Sequence, residues 1–166
     1  SIGVSAFSNC DSLTSITIPN SVKSIGESAF LNCYKLKSVN IPNSIKNIES
    51  DTFYNCKSLT SVTIPNSVTS IGNNAFLGCK ILESITIPDS VTSMGEYAFC
   101  HCNRLAFVEI GEGLTIIDDY VFAKCANLTS VTLSNNLTSI SNETFSNCKK
   151  LTSITIPGKV TSIGDF

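Results

Sequence analysis

Apolar residues along the chain recur at a fixed interval of 23 residues, and no insertion or deletion interrupts the register. Such a period indicates stacked structural units, each of which is too small to bury its own apolar face. The pattern therefore predicts a solenoid of about seven coils. Two of the repeating columns are Leu13, Leu36, Leu59, Leu82, Leu105, Leu128 and Leu151, and Phe7, Phe30, Phe53, Phe76, Phe99, Phe122 and Phe145.

The segment after each leucine has the pattern of a short β-strand. Residues 15–18, Ser-Ile-Thr-Ile, alternate polar and apolar side chains and are rich in β-branched types. Pro19 ends the strand, because proline cannot donate a ladder hydrogen bond. Val22 and Ile25 form a second extended apolar pair, and Gly26 permits a tight bend after it. Stacking then places successive strands side by side in parallel, about 4.8 Å apart.

The segment between this bend and the cysteine has helical spacing. Phe30 and Cys33 are three residues apart, which places them on one face of a helix. Acidic residues such as Glu27 and Asp51 precede the phenylalanines, and basic residues such as Lys35 follow the cysteines. That order suits a helix dipole. We therefore expect one or two helical turns in each coil.

The chain has eight cysteines, and seven of them keep the repeat interval. Disulfide frameworks and metal sites use uneven, clustered spacings, so this column is expected to be a buried, reduced part of the core. The eighth, Cys100, lies outside the column and is expected to be the exposed thiol. The core thiol column is Cys10, Cys33, Cys56, Cys79, Cys102, Cys125 and Cys148.

The run Cys100-His101-Cys102 is the one cluster with the chemistry of metal ligands. Cys102 belongs to the core column and the sequence offers no fourth ligand, so no metal site is expected. His101 is the only histidine, which leaves no Ser-His-Asp or Cys-His arrangement for catalysis. The chain is therefore predicted to have no catalytic residues and no cofactor.

Charge and hydropathy exclude further classes of protein. Charged residues make up 14% of the chain and the formal net charge is −2, which excludes a strongly basic nucleic-acid binder. No apolar run is long enough to insert directly into a membrane.

The ends of the chain lie within repeats, so we expect residues 1–166 to be a single array and a piece of a longer one. Ile2 and Phe7 at one end, and Ile163 and Phe166 at the other, are apolar and are not followed by a covering coil. Open strand edges also offer unpaired backbone groups. End-to-end self-association is therefore expected.

The unit Leu-x-x-Ile-x-Ile-Pro-x-x-Val-x-x-Ile-Gly-x-x-Ala-Phe-x-x-Cys covers essentially the whole chain. It resembles the leucine-rich repeats of BspA-like surface proteins, also called the Treponema pallidum type. The resemblance implies a right-handed, curved leucine-rich-repeat solenoid with short parallel strands on its concave face and short helical or extended segments on its convex side. It also implies a cell-surface or secreted protein that takes part in adhesion or recognition.

The binding surface expected from this pattern is the outward face of the first strand in each coil. Phe107 and Glu109 interrupt otherwise uniform ladders of small polar residues, and Glu83 and Glu112 lie near them in sequence. These four residues are the candidate site for a protein or glycan ligand. Sequence drift in a tolerant repeat explains the interruption equally well. The two outward columns are Ser15, Ser38, Ser61, Ser84, Phe107, Ser130 and Ser153, and Thr17, Asn40, Thr63, Thr86, Glu109, Thr132 and Thr155.

Two functions fit this surface. One is a protein-interaction scaffold that recognises ligands on host or neighbouring cells through the concave sheet. The other is a structural spacer that holds other domains away from a cell surface, which the monotony of the serine and threonine columns favours.

Overall fold

The computed structural model describes residues 1–165, which stack as the coils of a parallel β-solenoid and contain no helix. All paired strands run parallel, and each pairs with the equivalent segment 23 residues away in a neighbouring coil. The strands are β1 (Ser15–Thr17), β2 (Ser38–Asn40), β3 (Asn47–Ile48), β4 (Ser70–Ile71), β5 (Ser84–Ile87), β6 (Ser93–Met94), β7 (Phe107–Ile110), β8 (Ile116–Ile117), β9 (Ser130–Thr132), β10 (Ser139–Ile140) and β11 (Ser162–Ile163).

The first strands of the coils form the main sheet, as the alternating pattern predicts, although the equivalent residues 61–64 and 153–156 form no strand. Strands β5, β7 and β9 pair in that order, and β1 pairs with β2. In β7 the residues alternate between exposed and buried, so Val108 and Ile110 face the core while Phe107 and Glu109 face outward. The register aligns Phe107 with Ser84 on one side and Ser130 on the other.

The second extended pair of each coil forms a narrower sheet. Strands β3, β4 and β6 make one part of it, and β8, β10 and β11 make another. Ile48, Ile71 and Met94 are aligned across three neighbouring coils and are buried. An isolated parallel bridge joins Ile2 to Ile25 in the first two coils. The predicted second extended segment is therefore confirmed.

The expected helical turns are wrong. In the segment 27–33, Ser28 has a φ of 56° and Asn32 a φ of 59°, both in the left-handed region. A right-handed helix cannot contain two such residues four positions apart. The segment is a series of tight turns, so the acidic and basic residues that flank it face no helix dipole.

Backbone hydrogen bonds show what replaces the helix. The amides of Ala29 and Leu31 donate locally, to carbonyls three residues back at 3.2 and 3.1 Å. The amides of Phe30 and Ser28 donate instead to the next coil, Phe30 to Thr52 at 2.9 Å. Amides therefore alternate between local turns and the neighbouring coil. The side of the solenoid opposite the main sheet carries its own inter-coil ladder, which satisfies the backbone without regular secondary structure.

Stacked phenylalanine rings form the centre of the core. Successive rings from Phe7 to Phe145 lie 5.0 to 5.7 Å apart between centroids, with interplanar angles of 1° to 17°. The rings in the inner coils are fully buried, whereas Phe7 and Phe145 in the end coils are half-buried. The ring spacing also gives the distance from one coil to the next on this side of the solenoid.

The end coils expose apolar side chains. At one end Val4 is 71% exposed. At the other, Ile156 and Ile163 are 39% and 54% exposed, and they border a depression of about 280 Å³ whose surface is almost entirely apolar. Phe166, which the sequence places at this end, lies outside the described residues.

Candidate functional site

The thiol column is built into the contact between coils. Five of its members, from Cys33 to Cys125, are fully buried; Cys148 is half-buried and Cys10 is exposed. From Cys33 onward, each Sγ donates to the phenylalanine carbonyl 26 residues earlier, at 3.1 to 3.4 Å. Burial raises the pKa of Cys33 and of Cys148 to about 11. The column thiols from Cys33 onward therefore stay protonated at neutral pH and act as hydrogen-bond donors rather than as nucleophiles.

Cys100 is not the exposed thiol that the sequence suggested. It is only 4% exposed, and Ala123, which occupies the same place in the next coil, is 2% exposed. This turn position is covered by its neighbouring coils, so a small side chain there is buried. Burial also raises the pKa of the Cys100 thiol. Cys10 is the exposed thiol, because only one neighbouring coil packs against it.

The structure gives the run from Cys100 to Cys102 no metal-binding geometry. No group of three or more His, Cys, Asp or Glu side chains within residues 1–165 is placed to hold a metal ion. The Cys102 thiol instead donates to the carbonyl of Phe76 at 3.3 Å. Partial burial, and then the charges of Lys124 and Lys80, lower the pKa of His101. This imidazole is therefore neutral at pH 7 and lies within a cluster of cations.

Phe107 is the largest exposed side chain on the main sheet. It is 60% exposed, although it lies in the central strand of the β5, β7, β9 sheet. Its cross-strand neighbours, Ser84 and Ser130, are small and exposed, so they leave the faces of the ring open. An exposed aromatic ring with small polar neighbours on a rigid sheet is a typical anchor position for a protein ligand.

An acidic groove lies beside Phe107 at the carboxyl ends of the same strands. It has a volume of about 630 Å³ and carries Asp89, Glu109 and Glu112, with no lysine or arginine among its lining residues. Two of the carboxylates are fixed: Asp89 accepts the amide of Glu112 at 2.8 Å, and Glu112 accepts the side-chain amide of Asn135 at 2.9 Å. Negative charge is therefore concentrated and held in place.

A second depression, of about 560 Å³, lies on the other side of Phe107. Glu83 lines it together with Arg104 and Lys150. The four candidate residues are therefore divided: Phe107 and Glu83 share this mixed-charge depression, whereas Glu109 and Glu112 share the acidic groove. Glu83 adds little to the negative potential, because two cations line the same depression.

Comparison with known proteins decides the family. The family model for the BspA type leucine-rich repeat region matches residues 1–105 and 69–166, in six copies. The chain belongs to the BspA-type leucine-rich-repeat family. No curated protein sequence matches it.

Solved structures of bacterial proteins share the BspA-type fold. A leucine-rich repeat protein from Bacteroides ovatus is 38% identical with a TM-score of 0.95, covering 99% of this chain and 43% of that one. The Treponema pallidum leucine-rich repeat protein is 32% identical with a TM-score of 0.85, covering 90% and 70%. The pneumococcal vaccine antigen PcpA is 25% identical with a TM-score of 0.52, covering 92% and 47%. This BspA-type chain thus spans less than half of the Bacteroides ovatus protein.

One residue of the acidic groove was missed by the sequence analysis. Asp89 follows the strand-ending proline of its coil, at a position that is asparagine in earlier coils, as at Asn43 and Asn66. The same column becomes glutamate at Glu112 in the next coil. This change from amide to carboxylate in adjacent coils is the signal that could have identified Asp89.

Among the described residues, no helix is long and apolar enough to cross a membrane.

Proposed function

We propose that this BspA-type chain is a non-catalytic interaction scaffold, displayed at a cell surface or secreted, that binds a protein or glycan through the outward face of its main sheet. The observation that carries the proposal is the 60% exposure of Phe107 in the central strand of that sheet. Binding energy at protein interfaces is concentrated in a few aromatic or arginine anchors, and Phe107 is the only aromatic residue in either outward column.

The charges beside Phe107 support a partner with a basic patch. Phe107 and Glu109 are two residues apart on one strand, so their side chains emerge on the same face about 7 Å apart. Asp89 and Glu112 continue the negative surface along the groove. A single ligand can therefore cover the ring and reach the carboxylates. Complementary charge of this kind mainly increases the rate of association and the selectivity for the partner.

Location and the absence of catalysis are supported by the family. Its solved relatives include a protein named as a pneumococcal vaccine antigen, which favours a location on the outside of the cell, where the chain would contact its partner. The single histidine, His101, does not line either depression on the main sheet. The described residues that line the two depressions therefore offer no imidazole as a general base.

The test is capture of host surface and matrix proteins on the immobilised chain, followed by measurement of Kd for the captured ligand. Phe107→Ser restores the residue found elsewhere in the column and should weaken binding by about thirtyfold, the loss expected for an interface anchor. Ser15→Ala, in the same outward column of the first coil, is the matched control and should bind like the wild type. Equal affinities for wild type and Phe107→Ser would contradict the assignment.

A structural spacer is the second candidate. The outward positions Ser15, Ser38, Ser84 and Ser130 are all exposed, and apart from Phe107 they form a ladder of small hydroxyls. If the array acts only as a spacer, replacing it in the parent protein with an unrelated solenoid of equal length should preserve function. Loss of function on that replacement would favour the interaction scaffold.

A further inference from the structure

The positive charges are confined to a small part of each coil. Of the 11 lysine and arginine residues, all but Lys23, Lys46 and Lys159 lie within four residues of a column cysteine. That part of the coil is the corner that leads from the phenylalanine stack towards the main sheet. The cations at this corner are Lys35, Lys37, Lys57, Lys80, Arg104, Lys124, Lys149 and Lys150.

Because the coils stack, the cations at this corner of successive coils lie in a row along the solenoid axis. Six consecutive coils each contribute at least one cation, and the first coil instead has Asp11 at the corner. Neighbouring members are joined through adjacent backbones, since the amide of Arg104 donates to the carbonyl of Lys80 at 3.1 Å. Coils repeat at about 5 Å, so the row extends over roughly 25 Å. We call Lys35, Lys57, Lys80, Arg104, Lys124 and Lys149 the basic row.

The charges of the basic row are available to a ligand. Five of its members are exposed, and Lys57 is half-buried because its Nζ lies 4.2 Å from the ring centroid of Tyr34 in the preceding coil. Within residues 1–165, the one lysine or arginine side chain that donates a hydrogen bond is Lys159, to Asn136 at 2.6 Å, and it lies outside the row. The row is therefore not neutralised by carboxylates that hydrogen-bond to it.

We propose that the basic row binds a linear sulfated polysaccharide, at the corner of the coil that borders the main sheet, where Arg104 lines the same depression as Phe107. A narrow row with one cation from each of six successive coils matches a single polyanionic chain laid along the solenoid axis. Binding is driven by release of the counterions condensed on the polyanion, a local effect that does not require a positive net charge.

The composition of the corner favours a polysaccharide over a nucleic acid. Proteins that bind single-stranded nucleic acids stack successive bases on aromatic side chains set between the cations. Among the residues next to the column cysteines on this row, Tyr34 is the one such ring, and Lys57 lies over it. The row is also narrow, since every member lies within two residues of a column cysteine, whereas a membrane surface would call for charges spread over a plane.

The experiment measures heparin binding by the whole chain with calorimetry at several salt concentrations. Six cations predict that log Kd rises with log salt with a slope of about 4. The variant Lys80→Gln, Arg104→Gln, Lys124→Asn should bind at least about tenfold more weakly, with a slope of about 2. Asparagine is used at position 124 because Lys124 has a φ of 62°, and Asn occupies the same column in Asn32 and Asn147.

The matched control is Lys23→Gln, Lys46→Gln, Lys159→Gln, which removes the same charge from the opposite corner and should bind heparin like the wild type. Equal losses in both triple variants would show that only overall charge matters and would overturn the proposal. So would a failure of the wild type to bind heparin at low salt, or tighter binding of single-stranded DNA than of heparin.

A second measurement does not depend on any variant. His101 is the only histidine, so its imidazole resonances can be followed by NMR through a pH titration. Heparin bound along the row should raise the pKa of His101, because it neutralises the neighbouring Lys80 and Lys124. An unchanged titration at saturating heparin would place the polysaccharide elsewhere. Phe107→Ser should leave heparin binding unchanged, which separates this proposal from ligand binding at the main sheet.

Discussion

Two phenylalanines of one coil provide a direct test of how the solenoid is built. Phe99 is fully buried, and its ring stacks between Phe76 and Phe122 at centroid distances of 5.0 and 5.7 Å. Phe107 lies eight residues later and is 60% exposed. The same truncation to alanine at each position therefore removes the same atoms from opposite environments.

The expected losses of stability differ severalfold. Truncation of a fully buried phenylalanine typically costs about 3–5 kcal/mol, and loss of two ring neighbours places Phe99→Ala near the upper end, at about 5 kcal/mol. Full burial of a phenylalanine contributes up to about 3 kcal/mol. With 60% of its surface exposed, Phe107 retains less than half of that gain, so Phe107→Ala should cost about 1 kcal/mol.

Urea unfolding followed by circular dichroism measures both values, and thermal melts give a second probe. The slope of the transition must be the same in wild type and variants, because a changed slope would signal unfolding of single coils rather than of the whole array. Comparable losses from the two substitutions would refute the assignment of Phe107 to the outward face and of Phe99 to the stack.

Three other predictions concern the thiols and the ends. Under native conditions at pH 8, Ellman's reagent should label Cys10 rapidly, Cys148 slowly and the other thiols only on unfolding. A pKa of about 11, as for Cys33, leaves about one thiol in a thousand as the reactive thiolate at this pH. A rapid labelling phase that persists in Cys10→Ser would contradict this expectation. The melting temperature should fall as the pH rises from about 9 to 11. In that range the thiols of the unfolded chain lose their protons, whereas Cys33 in the folded chain keeps its proton because its pKa is raised. Cys33→Ala should therefore reduce the decrease in melting temperature over this range. The 166-residue chain should associate end to end in sedimentation velocity experiments. The double variant Ile156→Lys, Ile163→Lys should suppress this association, whereas the control Ile116→Lys, on the second sheet, should not. A wild-type chain that stays monomeric at about 100 µM would disprove end-to-end association.

The strands, and the side of the sheet on which each of their side chains lies, were predictable because both follow from the period of the sequence alone. Alternation over residues such as 107–110 has the two-residue period of a strand, and the 23-residue register then fixes which residues are neighbours. No knowledge of three-dimensional contacts beyond stacking is needed. The exposure of Phe107 and the burial of Val108 were therefore available from the sequence.

The turn segments were not predictable by the same means. A spacing of three residues, as between Phe30 and Cys33, is shared by helices and by successive tight turns. The signal that separates them is the column of Asn32, Asn55 and Gly78, whose residue types tolerate a positive φ. Cys100 was misplaced for a related reason, since without the turn geometry its column of mixed residue types gave no indication of burial.

The candidate site was only partly predictable, because grooves arise from the spatial relation of several columns. Glu83 lines the same depression as Phe107, whereas Glu112 lies in the acidic groove with Glu109. A list of the acidic residues near Phe107 in the sequence does not show that they lie in two different depressions. That separation depends on which corner of the coil each residue occupies.

The alternation of amide donors between local turns and the next coil has a consequence for how genes of this kind change. In these turns the amides of each coil donate to carbonyls of the next coil, as Phe30 does to Thr52 and Phe53 to Ala75, and the same set of carbonyls in every coil accepts from the coil before it. Unequal crossing-over that adds or removes one unit therefore leaves every backbone bond with an equivalent partner. Recombination can lengthen or shorten the array in steps of one coil, and Phe107 then moves along the axis with its own coil unchanged.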